Sequence, residues 1–149
     1  MTDAAHRLTD IIEKVERRDA SFHSVCAVIM QVLMKVLAAE SMAATAAISL
    51  AQRDRLRGMS AELRDMIDVL APWVPGGPRM PHQTVSETSW WYALSEAMHL
   101  VEDSAEQLSV VVARQEKRAN LRNMAAQAVR VLRDHYNILL AESKNFLDT

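Results

Sequence analysis

Pro72-Trp73-Val74-Pro75-Gly76-Gly77-Pro78-Arg79-Met80-Pro81 holds six of the seven Gly and Pro residues in this chain, and the seventh is Gly58. These two residue types stop helices most strongly, proline by removing a donor and glycine by its backbone freedom. Their confinement to 58–81 leaves two uninterrupted blocks, 1–57 and 82–149. A chain of 149 residues would carry about ten glycines at average usage, so three disfavours a turn-rich β architecture.

Inside each block the apolar residues recur at steps of three and four, the period of one helix face. The first block runs Leu8, Ile12, Val15, Phe22, Val25, Ile29, Val32, Val36; the second runs Leu94, Val101, Leu108, Val111, Leu121, Met124, Val129, Leu132, Leu139, Phe146. A straight helix of 57 residues would span about 85 Å, too long for one compact domain of this size, so each block is expected to break. The polar stretches at 17–21 and 114–120 are the candidate breaks, with Asp19 or Ser21 able to cap a new helix and Asn120 able to take the left-handed conformation at a helix end. Arg57-Gly58 reads as a helix end, Ser60 as the cap of a short following helix, and Thr84-Val85-Ser86-Glu87 as a capping box. The expected architecture is therefore a single all-α domain over 1–149, a four- to five-helix bundle with helices at about 3–18, 21–57, 60–71, 84–115 and 120–147 and a Pro/Gly-rich loop at 72–83.

Half of the residues are apolar, enough for one core without a disulfide or metal staple. The net charge of −2 and the pI near 6.2 argue against a general nucleic-acid or anionic-membrane binder. The lone Cys26 lies in an apolar run and reads as a small buried hydrophobe in a reducing compartment. The first residues lack a basic segment followed by a long apolar one, so the expected location is cytoplasmic. Residues 25–51 are apolar and long enough to cross a bilayer, but Lys35 and Glu40 would be costly inside it. A core helix, with Ala39, Ala43 and Ala47 allowing close approach of a neighbour, is the better reading.

Four of the seven aromatic residues, Trp73, Trp90, Trp91 and Tyr92, flank the proline loop. Large aromatics can pin such a loop to the core, and they also concentrate at interface hot spots. Trp90 and Trp91 differ by about 100° around a helix, so one of them is expected to face solvent. These four residues, with Arg79 in the loop, form the candidate partner-binding site.

Glu96-Ala97-Met98-His99 has the Glu-x-x-His spacing that puts two metal ligands on one helix face. No second such motif exists in the chain, so no cofactor is expected, and Glu96 with His99 remain as the metal or small-ligand alternative. Glu40, Glu142, Asp134 and His135 are too scattered in sequence to complete such a site, and the adjacent Asp134 and His135 point to different helix faces. Arg53-Asp54-Arg55-Leu56-Arg57 and the basic residues from Arg114 to Arg122 coincide with expected helix ends, where cations are favoured anyway. No phosphate-cradling glycine loop, nucleophile elbow or Cys/His cluster is present, which argues against an enzyme.

Ser89-Trp90-Trp91-Tyr92-Ala93-Leu94 enters a long helix after an irregular loop. Over about ten residues it resembles a Trp-Trp-Tyr segment of one small helical protein of the anti-CRISPR kind. That resemblance implies an inhibitor that covers the surface of a CRISPR nuclease or surveillance complex. The leading expectation is broader: a non-catalytic interaction protein that binds a protein partner, a homo-oligomer included, as scaffold, adaptor or inhibitor. Its methionines (Met30, Met34, Met42, Met59, Met66, Met98, Met124) suit either adaptable contacts or core filling.

Overall fold

The computed structural model describes residues 1–78 and 89–147. Five α-helices follow one another: α1 (Asp3–Glu13), α2 (Ala20–Ala46), α3 (Leu50–Leu70), α4 (Trp90–Arg114) and α5 (Ala119–Leu147), with a 3-10 turn at Ala71–Trp73 after α3. The described residues contain no strand, so the expected all-α bundle is what the chain forms. Arg79 and the Thr84–Glu87 capping box lie outside the described residues.

Both expected breaks occur. Asp19 caps α2 by accepting from the Phe22 backbone at 3.2 Å. Its carboxylate also takes two hydrogen bonds from Arg118, at 2.8 and 3.0 Å, so one residue ties the start of α2 to the turn before α5. The Arg118 hydrogen bond and then the Phe22 backbone N–H hold the Asp19 carboxyl below its ordinary pKa. Asn120, expected in a left-handed end conformation, is instead a helical residue of α5 whose amide donates to the Lys14 carbonyl at 2.7 Å.

The expected helix 21–57 is broken at Ala47-Ile48-Ser49, and the expected separate helix 60–71 does not exist. Ser49 and Gln52 form a reciprocal capping box that starts α3, satisfying backbone N–H groups the new helix would otherwise leave open. A Ser-x-x-Gln start needs no glycine, which is why a break search built on Gly and Pro passes over it. Gly58 sits inside α3 and ends nothing. Glycine lowers helix stability by about 1 kcal/mol relative to alanine, a penalty that packed neighbours in a 21-residue helix readily override. Ser60, expected as a cap, is a buried mid-helix residue. The glycines that do need their freedom are Gly76 and Gly77, at φ +84° and +65°.

α2 is the central element. It packs against α3 on one side and α4 on the other, α4 packs along α5, and α1 lies between α5 and α3. Phe22, Ile29, Leu33 and Val36 of α2 are fully buried beside Leu8, Leu56, Leu63, Met66, Leu94, Leu108, Leu121 and Met124. By length and apolarity alone α2 is also the one helix among the described residues that could cross a membrane, yet here its apolar positions are spent on the core of the bundle. Cys26 is free and fully buried, and burial pushes its thiol up to about 12. Met30, Met34, Met59, Met66 and Met124 are buried, so most of the methionines fill the core.

α1 is too short to close the bundle. Its 11 residues span about 17 Å, against about 44 Å for the 29 of α5. At its start the Thr2 backbone donates to Asp65 of α3 at 2.9 Å, and its end is held by Asn120 of α5. Beyond Asp65, towards the start of α3, α3 and α5 face each other directly. Glu62 meets His135 there, and Arg55, seven residues earlier on α3, meets Glu142, seven residues later on α5. The equal and opposite steps define an antiparallel register, and polar side chains fill what α1 leaves open.

Candidate functional site

The most unusual chemistry lies in that polar seam. Glu40 of α2 and His135 of α5 are inaccessible to solvent, and the imidazole reaches carboxylates on both sides: Nδ1 is 2.8 Å from Glu40 Oε2 and Nε2 is 2.9 Å from Glu62 Oε1. Ser60 donates its hydroxyl to the other Glu40 oxygen at 3.4 Å. The Glu62 side chain keeps 32% of its exposure, so one end of the cluster touches water. Burial by itself would lower the His135 pKa, but hydrogen bonds from the ring to Glu40 and Glu62 outweigh it and push it up to about 9. At neutral pH His135 is therefore an imidazolium that donates from both nitrogens. Two turns of α5 further on, Arg55 clasps Glu142 with Nε on Oε1 and Nη2 on Oε2, the latter at 3.1 Å.

This arrangement suits a clamp and does not match a nucleophile relay. A nucleophile relay needs a hydroxyl donating to a neutral ring nitrogen, with a carboxylate behind the other. Here Ser60 donates to the carboxylate, and both ring nitrogens are already occupied as donors. The two glutamates also lie on opposite sides of the ring, so one ion cannot reach all three groups. No cluster of three His, Cys, Asp or Glu able to hold a metal occurs among the described residues. The expected metal alternative, Glu96 and His99, is a pair of exposed side chains on α4.

Sequence reading passed over the cluster because its members are 95 and 73 residues apart. One signal was present. Glu40 is the sole acidic residue between Ala20 and Arg53, and an acid placed in the most apolar helix needs a cation from elsewhere in the fold.

The expected aromatic site divides. Trp73 is a structural anchor: its ring packs edge-on to Phe22 at 5.6 Å, Arg18 lies 4.6 Å over its face, and its carbonyl accepts from His23 Nδ1 at 2.7 Å. Trp90 is buried at the start of α4, and its indole N–H has no hydrogen-bond partner among the described residues. Trp91 and Tyr92 are 44% and 59% exposed, as the 100° offset between neighbouring helix positions requires. Ser89 caps this turn by accepting from the Tyr92 backbone at 3.2 Å.

Three of the seven cations in the arginine-rich stretches are engaged within the fold. Arg55 holds Glu142, Arg118 holds Asp19 and the Arg17 carbonyl, and Arg122 donates to the Glu116 carbonyl at 3.1 Å.

An open groove of about 560 Å³ runs along the outer seam of α4 and α5, between Glu102 and Glu106 on one side and Arg133 and Asn137 on the other, floored by Ala105 and Leu132. A second depression of about 490 Å³ continues it past Ser109 and Arg133 to Val112, Val129 and Arg130. Comparison with protein-family profiles, with curated proteins and with solved structures finds no match to this chain.

Proposed function

We propose that this protein is a non-catalytic interaction module that works by presenting helix surface to a protein partner, another copy of itself included. The observation that carries this reading is the pair Trp91 and Tyr92, exposed side by side on the first turn of α4 while their neighbour Trp90 is locked in the core. A rigid helix start that displays two large amphipathic rings loses little entropy on binding, which is why such residues dominate interface energetics. The buried His135 cluster supports the non-catalytic half of the reading, since its donors and acceptors are consumed internally. An inhibitor that covers a nuclease surface is one form of the same function, differing in the partner and not in the mechanism.

The test is a concentration series by light scattering on the native protein and on the double variant Trp91→Ala/Tyr92→Ala, joined to capture of partners from the native host. Association, with itself or with a captured protein, that weakens in the double variant is the expected result. Association unchanged by the double variant, or none in either assay, would overturn the reading.

A further inference from the structure

The charges on the outer face of α4 and α5 are segregated. Between Trp90 and Ala113, α4 carries Glu96, Glu102, Asp103 and Glu106 and not a single Lys or Arg. The edge of α5 along the same seam carries Arg130 and Arg133, with Asp134 beside them. Glu102, Glu106 and Arg133 line one groove, yet no ion pair crosses the seam among the described residues; the pairs that form lie elsewhere, at Arg55, Arg118 and His135. The face thus has an apolar floor, with Glu102 and Glu106 on one rim and Arg130 and Arg133, beside Asp134, on the other, all of them exposed.

We propose that this face is where two copies of the chain meet, related by a two-fold axis parallel to the helices, so that α4 of each copy lies against α5 of the other. The inference rests on the interaction-module reading and names its partner and surface. Rotation about an axis along the helices exchanges left and right without changing height. It therefore sets the acidic rim over the partner's basic rim twice, at the level where Glu106 and Arg133 flank the groove. The other face-to-face two-fold, perpendicular to the helices, would set acid on acid and base on base, which like-charge repulsion opposes. A second copy is the occupant because both complementary rims belong to this one face.

The size also fits. A 25-residue helix spans about 37 Å, and two helices side by side cover about 20 Å, or about 750 Å² per copy, close to the roughly 800 Å² per partner of a standard stable interface. Trp91, Met98, Glu102 and Ser109 are separated by seven, four and seven residues and so lie along one side of α4. The groove edge therefore leads up the helix to the half-exposed Trp91.

The experiment is sedimentation velocity on four proteins: the native chain, Glu102→Arg/Glu106→Arg, Arg130→Glu/Arg133→Glu, and the quadruple exchange, each checked for native helicity by circular dichroism. The native chain is expected to dimerise, each double variant to dissociate at least about tenfold more readily, and the quadruple exchange to recover the dimer. The recovery separates a paired interface from general damage to the fold. A native chain that is monomeric at high micromolar concentration, or a dimer indifferent to all three exchanges, overturns the inference. If the exchanges change nothing while Trp91→Ala/Tyr92→Ala weakens association, the interaction-module reading survives and this surface does not.

Discussion

His135 donates from Nδ1 to Oε2 of Glu40 across 2.8 Å, joining α5 to α2 where neither side chain meets solvent. Taking an ion pair out of water is costly, and the Coulombic gain offsets this only when the remaining hydrogen-bonding capacity is met. Ser60 on the second Glu40 oxygen and Glu62 on the second ring nitrogen meet it here.

The first consequence is a pH dependence of stability. His135 has a folded pKa of about 9 against an ordinary 6.5, so the folded state binds the proton more tightly. Its contribution is complete below about pH 6.5 and is lost as the pH rises through about 9, a decline on the order of 3 kcal/mol at most. Urea unfolding at pH 6 and pH 9 should show the native protein weakening over this interval and His135→Leu weakening much less. Equal slopes in the two proteins would disprove the assignment. The raised Cys26 thiol adds a similar loss, but above its ordinary pKa of 9, so the chosen interval keeps the two apart.

Removing one partner of the clamp should hurt more than removing both. Glu40→Leu strands an imidazolium in the core with Glu62 as its sole carboxylate, and a loss of about 3–5 kcal/mol is expected. Glu40→Leu combined with His135→Leu replaces charge by packing and should recover a large part of that loss. Denaturant midpoints for the single and double variants measure the coupling, and strictly additive losses would show that the two residues do not act as a unit.

Gly58 lies exposed within α3, and a Cβ added there would meet nothing within 4 Å. Gly58→Ala should therefore stabilise the protein by about 1 kcal/mol, which for a chain of this length raises Tm by roughly 2–4 °C. Differential scanning calorimetry would detect it, and a lowered Tm would mean that the glycine serves some contact beyond its own helix.

Trp90 and Trp91 are adjacent in sequence and opposite in role. Trp90→Ala should cost about 3–5 kcal/mol of folding stability, the usual range for an aromatic removed from a core. Trp91→Ala should stay within about 0.5 kcal/mol and act on association instead. Unfolding curves of the two variants, run beside light scattering, would expose a reversal of these roles.

Fold class and most helix limits were legible in the chain because they depend on local and periodic signals. Gly and Pro confined to 58–81 and an apolar stripe at steps of three and four imply long helices on either side, and Asp19 announces the second helix through its own side chain. The misread limits were local too, but ambiguous. Gly58 has the residue type of a helix end in the setting of a helix interior, while Ser49 and Gln52 start a helix inside an apolar run that periodicity can thread straight through.

What the chain alone determined about this protein is therefore its helical content, its central apolar helix and the necessity that Trp90 and Trp91 diverge, since each follows from residue type and the 100° step of a helix. Which polar residues meet was decided by tertiary structure. Glu40, Glu62 and His135 are brought together because α1 is too short to fill the space between α3 and α5, and the antiparallel register of those helices places the carboxylates on either side of the ring. The acidic and basic residues of α4 and α5 are likewise written in the sequence, but Glu102 and Glu106 come to face Arg133 across one groove when the two helices lie side by side. Packing makes that neighbourhood, because burying the apolar stripes of both helices against α2 leaves their charged edges adjacent and turned to solvent.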